Sequence, residues 1–151
     1  TRACNFFYGN QAKKLIKITY DAMMKAIKII KANVKIGNIG YTIQQIVEAE
    51  GFSVVKDFCG HGIGKSFHQS PNVLHFGEKN SGQELREGMI FTVEPMINSG
   101  KFETKVLKDG WTAVTRDKSL SAQFEHTVGV TKEGYEIFTL SKKGLNFPPN
   151  L

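Results

Sequence analysis

The chain has little cysteine: only Cys4 and Cys59 occur in 151 residues. That excludes a disulfide-dense secreted scaffold and fits a reducing compartment, the cytoplasm. It also lacks any stretch approaching the ~20 apolar residues of a membrane-spanning helix, and any charged and apolar leader, so no membrane partner is expected. Blocks of like charge are missing too. The 20 basic residues are scattered among 14 acidic ones, and the net charge of +6 suits an anionic partner without defining a patch for one. The densest stretch, from Lys13 to Lys35, spaces its lysines at helical intervals and reads as a solvated helix face. A ribosomal surface stays open as a partner, and specific DNA binding is not indicated. No repeat or low-complexity tract is visible. The chain opens on Thr1 rather than methionine, so a processed product or a part of a longer protein is expected, and its length suits one structural unit over residues 1–151.

What is present begins with helical periodicity. Ile16, Tyr20, Met23, Ile27 and Ile30 recur at steps of four and three, which predicts an amphipathic helix between Ala12 and Lys31. A second stripe, Ile36, Ile39, Ile43, Ile46 and Val47, predicts a helix ending at Gly51, with Gly37 and Gly40 weakening its start. From Phe52 onward the pattern changes to short apolar or alternating runs between turn residues. Strands are predicted over Ser53 to Phe58, Met89 to Ile97, Thr112 to Thr115, Gln123 to Thr131 and Tyr135 to Leu140. Lys132-Glu133-Gly134 reads as a hairpin, Arg86-Glu87-Gly88 as the turn before the Met89 strand, and Pro148-Pro149 as part of an irregular tail.

Three ionisable side chains sit where an unpaired charge is costly to bury: His61 in Cys-Gly-His-Gly-Ile-Gly, Glu94 in Phe-Thr-Val-Glu-Pro-Met, and Glu125 in Ala-Gln-Phe-Glu-His-Thr. Glu94 interrupts an apolar strand, with Thr92 on its face by alternation, and Pro95 after it favours a strand end. Glu125 repeats the pattern with Gln123 and Thr127 beside it, so two carboxylates on facing strands can share a cation. The glycines around His61 let backbone pass close while the imidazole points inward. Imidazole with carboxylates suits manganese, iron, cobalt or zinc, and without thiolate it argues against a structural zinc finger. Cys59 is read as core. His68, seven residues past His61, is better placed to touch a substrate as proton donor or carbonyl polariser. His75 is read as surface or turn, and His126 as core or a group behind Glu125.

From about Ala12 to its end the chain resembles the bacterial type I methionine aminopeptidases. The motifs that carry the likeness are Cys59 to Gly64 with Phe67, His68 and Pro71, then Phe91 to Met96, Lys108 to Thr112, and Ser119 to Thr127. The last two separate it from the proline-specific peptidases, which share the fold. The resemblance implies the C-terminal part of a pita-bread fold, of α+β class, with two helices packed on a curved antiparallel sheet. It implies hydrolytic removal of the initiator methionine from nascent polypeptides, in the cytoplasm, by a complete enzyme that is a monomer. It also implies two divalent ions, cobalt, manganese, iron or zinc, with His61, Glu94 and Glu125 as three of five ligands and Glu125 bridging. Glu94 would shuttle a proton, His68 would stabilise the tetrahedral intermediate, and Phe67 and Trp111 would line the methionine side-chain pocket.

The two remaining ligands of that family are aspartates, and no residue here matches them. Counting back from Phe6 and Gly9 places the second at or before Thr1, so an aspartate-bearing strand pair is expected to be encoded upstream. Three expectations follow from that gap: exposed apolar surface where another half would pack, weak binding of at most one ion, and impaired turnover by these 151 residues. The alternatives are a relative of the proline-specific peptidases and a non-catalytic half-fold that binds polypeptide or ribosome without metal.

Overall fold

A computed structural model describes residues 9–144 and 146. Cys4, Phe6, Pro148 and Pro149 lie outside the described residues. Two helices come first, α1 (Asn10–Lys28) and α2 (Gly37–Ala49). Every apolar position of the first stripe is buried, from Ile16 through Ile30, and Lys25 and Lys28 place positive charge in the last turn of α1. The left-handed glycine expected after α2 is Gly51, with φ of +79°. Gly37 and Gly40 serve the packing of α2. A Cβ on Gly40 would lie 2.6 Å from the carbonyl oxygens of Leu74 and Phe76, so only glycine lets the helix approach that backbone.

Ten short strands follow: β1 (Ser53–Val54), β2 (Gly60–Gly62), β3 (Gln69–Val73), β4 (Ile90–Val93), β5 (Met96–Asn98), β6 (Thr104–Val106), β7 (Ala113–Thr115), β8 (Ser121–Gln123), β9 (His126–Val130) and β10 (Tyr135–Ile137). They pair as a three-stranded sheet β1-β5-β8, a five-stranded sheet β10-β9-β4-β2-β3 and the hairpin β6-β7, all antiparallel. The α+β class and the two packed helices are as expected, and one core of α1, α2 and inward strand residues such as Phe91, Ile97 and Val128 joins them. The hairpin expected at Lys132-Glu133-Gly134 joins β9 to β10, closed by the Thr131 N–H donating to the Gly134 carbonyl.

Several strand expectations need correction. The run expected from Met89 to Ile97 is two strands in two different sheets, broken at Glu94 and Pro95. The run from Gln123 to Thr131 is likewise two strands, broken at Phe124 and Glu125. Proline contributes no N–H to a ladder, which fixes the first break. Phe124 turns into the core against Tyr20 of α1, ring edge to face at 5.4 Å, which anchors the second. The strand expected over Ser53 to Phe58 stops at Val54, and the one expected over Tyr135 to Leu140 stops at Ile137. Strands β2, β3 and β6 were not expected at all. Large apolar side chains are exposed at Phe67, Val106, Trp111, Phe138 and Leu140.

Candidate metal centre

Register decides the geometry. The last pair of the β4–β9 ladder is Val93 with His126, and the nearest pair of the β5–β8 ladder is Met96 with Gln123. Between those two pairs lie Glu94-Pro95 on one side and Phe124-Glu125 on the other. Both carboxylates therefore stand at the same level, where the chain crosses from one sheet to the next and leaves the regular ladder. That level is bordered by β2, which fits closely between β4 and β3 because Gly60 and Gly62 carry no side chain. A Cβ on Gly60 would sit 2.3 Å from the Thr92 carbonyl oxygen, and one on Gly62 would sit 2.2 Å from that of Ser70. The glycine frame thus presses His61 between β3 and β4, with the His61 N–H donating to Thr92 Oγ1 at 2.9 Å.

Thr92 links the two candidate ligands. Its buried hydroxyl accepts from the His61 main chain and donates to Glu94 Oε1 at 2.6 Å. His61 Nε2 lies 3.8 Å from the same Oε1. On the other edge of the imidazole, Nδ1 is 3.1 Å from the Gly62 carbonyl, which can only accept. In neutral His61 the ring proton therefore belongs on Nδ1, and Nε2 turns a lone pair toward the carboxylate. With the imidazole neutral, two electron-pair donors face one another across this gap, and either a proton on His61 or a cation between them relieves the opposition. An imidazole whose second nitrogen donates to a carbonyl is also the usual arrangement of a metal-binding histidine.

Burial pushes the Glu94 carboxyl above the ordinary carboxylate range. The Thr92 hydrogen bond opposes that, the Glu125 charge adds to it, and His61 and His68 pull it back. Burial, and after it the Glu94 charge, pushes the Cys59 thiol up. Cys59 is half-buried beside the site rather than in the core. The His68 ring centroid lies 4.2 Å from that of His61, and Phe67 packs against both, at 5.3 Å from His61 and 4.7 Å from His68. Phe67 is 67% exposed. Trp111 is 89% exposed on the β6–β7 hairpin, its main-chain N–H donating to Asp109 Oδ1. Among the described residues, no three His, Cys, Asp or Glu side chains converge as a ready-made metal cage. Glu125 acts on Glu94 through its charge. In donor chemistry the group fits a divalent ion, since a cation would offset the cost of burying Glu94 and the repulsion from Glu125.

Two residues that the sequence placed in other roles support this arrangement. His75, expected at the surface or in a turn, is 2% exposed and accepts the Glu94 N–H through Nε2 at 3.0 Å. Burial holds its imidazole down to about 3, so it is neutral at physiological pH. A signal existed: His75 is two residues beyond buried Val73, on the inward parity of β3. Gln123 donates through Nε2 to the Glu94 carbonyl at 3.2 Å. His126 is buried, with Nδ1 2.8 Å from Thr139 Oγ1, and burial lowers its pKa.

The fold is that of a metallopeptidase. The chain belongs to metallopeptidase family M24, whose model matches residues 2–132. It is similar to the methionine aminopeptidase of Rickettsia prowazekii, 59% identical over 148 residues, covering 95% of this chain and 57% of that protein. To the methionine aminopeptidase of Escherichia coli K12 it is 50% identical over 130 residues, covering 86% and 49%. The crystal structure of the Rickettsia prowazekii methionine aminopeptidase superposes with a TM-score of 0.87 at 56% identity, over 89% of this chain and 54% of that one. A prolidase from Pyrococcus furiosus, at 20% identity and a TM-score of 0.69, shares the pita-bread fold. This chain spans about half the length of the curated relatives it matches.

Proposed function

We propose that residues 1–151 act as one part of a methionine aminopeptidase catalytic domain, and that the complete site removes the initiator methionine from nascent polypeptides. The observation that carries the reading is the opposition of His61 Nε2 and Glu94 Oε1 at 3.8 Å, with the Glu125 charge beside them. His61, Glu94 and Glu125 would hold the divalent ion, cobalt, manganese, iron or zinc, with two ions in the complete site. Bound there, it supplies Lewis-acid polarisation of the peptide carbonyl and a water nucleophile at neutral pH.

The remaining steps belong to the chain's own groups. Glu94, with Oε1 engaged by Thr92, would take a proton from the attacking water onto Oε2 and return it to the leaving amine. Its raised affinity for a proton suits that shuttle. His68 donates a ring N–H to the oxyanion that develops on the carbonyl, from its place beside His61. Phe67 and Trp111 offer apolar surface to the methionine side chain, and their exposure leaves them free to close on it. Relatives that are 50–59% identical favour this reading over a proline-specific peptidase. Among the described residues no helix is long and apolar enough to cross a membrane. A cytoplasmic monomer working on chains that leave the ribosome completes the proposal.

The 151-residue chain is expected to bind at most one manganese ion, weakly, and to release negligible methionine from a Met-Ala peptide with manganese or cobalt added. Calorimetry and amine release read both. Full turnover by the purified chain would show that the three ligands suffice and would overturn the five-ligand account.

A further inference from the structure

The main chain at Glu94 has an unusual support. Strand β4 ends at Val93 and β5 begins at Met96, so Glu94 belongs to neither ladder, and Pro95 beside it has no N–H. A buried peptide group without partners costs about 1–3 kcal/mol per unpaired atom, so something must replace the ladder here. Side chains do so on both edges: His75 Nε2 accepts the Glu94 N–H at 3.0 Å, and Gln123 Nε2 donates to the Glu94 carbonyl at 3.2 Å. The two differ in rigidity. Gln123 is half-buried on a strand of three residues, whereas His75, two residues past the end of β3, is 2% exposed.

We propose that His75 is a positioning residue for the metal centre: its buried ring accepts the hydrogen bond of the Glu94 N–H through Nε2, pins the chain where it crosses between sheets, and so sets where the Glu94 carboxylate stands against His61. The inference rests on the reading of Glu94 as a cation ligand. Its physical content is that the Glu94 side chain starts from a Cα held from behind, while Thr92 holds its far end. With both ends fixed, the carboxylate keeps one orientation. With the amide released, the break at Glu94-Pro95 becomes a swivel, and a misplacement of about 1 Å at a ligand is costly to a metal site. Neutral His75 must then carry its proton on Nδ1, because Nε2 is the acceptor.

Nuclear magnetic resonance on the cation-free 151-residue chain tests this directly. A scalar coupling across the hydrogen bond, from the Glu94 amide nitrogen to His75 Nε2, is expected in the wild type, and its absence would overturn the proposal. Two substitutions separate positioning from core filling. In His75→Gln the amide oxygen can occupy the Nε2 position and accept the same hydrogen bond; His75→Leu fills space but accepts nothing. Glu94 side-chain couplings should report a single χ1 rotamer in the wild type and His75→Gln, and averaging in His75→Leu. Manganese affinity should fall about tenfold or more in His75→Leu and stay within about threefold in His75→Gln, the scale on which groups behind metal ligands act. A core-filling role predicts the reverse order, with leucine tolerated and glutamine harmful, and that order would refute the proposal. If the wild type binds no manganese, the metal reading fails on its own, and the rotamer comparison still decides the role of His75. If His75→Leu does not fold, a folded His75→Gln with an averaged Glu94 overturns the proposal and one with an ordered Glu94 supports it.

Discussion

Glu94→Gln should lose manganese binding by about a hundredfold or more, exceeding the usual effect of groups that only orient a ligand, while becoming more resistant to unfolding. The two effects share one cause. Glutamine keeps the shape of the side chain and an oxygen to accept from Thr92, but it has no charge to offer a cation. In the metal-free fold that charge is a liability, because burial and the nearby Glu125 push the Glu94 carboxyl above its ordinary range. A carboxyl whose pKa is raised by folding favours the folded state while it is protonated, and loses that favour as pH rises through the folded value. Wild type and variant should therefore have similar Tm values in acid. The variant's advantage should grow as the solution is brought to neutrality in the presence of a chelator. Added manganese should raise the wild-type Tm by mass action and leave the variant unmoved. Thermal melts across pH, with and without metal, check both halves, and a variant that is less stable at neutral pH would contradict this account of the site's electrostatics.

Gly62→Ala should destabilise the fold by about 3 kcal/mol or more, at the severe end for a single added methyl group. The new Cβ would lie 2.2 Å from the Ser70 carbonyl oxygen and 2.6 Å from its carbon. Those are main-chain atoms of β3, so no side-chain rotation relieves the contact. Strand β2 is held on its other edge as well, through Gly62 paired with Phe91, and cannot move away without parting from β4. Either displacement carries His61 off the level of Glu94 and Glu125. Urea unfolding measures the loss, and a difference within about 1 kcal/mol would show that the sheet gives way more easily than this packing implies.

Legibility in the sequence followed the range of the interactions. Both helices could be read from local apolar spacing, because one buried face writes a period into the chain. The strands around the site were harder. Gly60, Gly62, and Pro71 and Asn72 of β3 have poor intrinsic strand preference, and pairing with distant backbone makes these segments strands. Glu94 and Glu125 stood out as charges inside apolar runs, and Pro95 marked a strand end. That both strands break at one level is a matter of register, which neither segment shows alone. His61, Glu94 and Glu125 were picked out together with Thr92 and Gln123 as neighbours, and the structure gives Thr92 and Gln123 definite contacts with Glu94. His75 was missed because nothing in its own surroundings distinguishes a turn histidine from a buried one. Only extending the β3 alternation past Val73 would have turned it inward. Trp111 drew its suggested role from resemblance alone, and its exposure on a hairpin follows from no local pattern.

In the proposed reading, His61, Glu94 and Glu125 hold a cation at the level where two strands leave their ladders. Paramagnetic broadening on titration of the labelled 151-residue chain with manganese tests it most directly. Resonances of His61, Glu94 and Glu125 should vanish first, followed by those of Thr92 and His68, with the outer faces of α1 and α2 unaffected at equal concentration. Broadening centred elsewhere, or none at manganese concentrations that saturate an ordinary weak site, would contradict it.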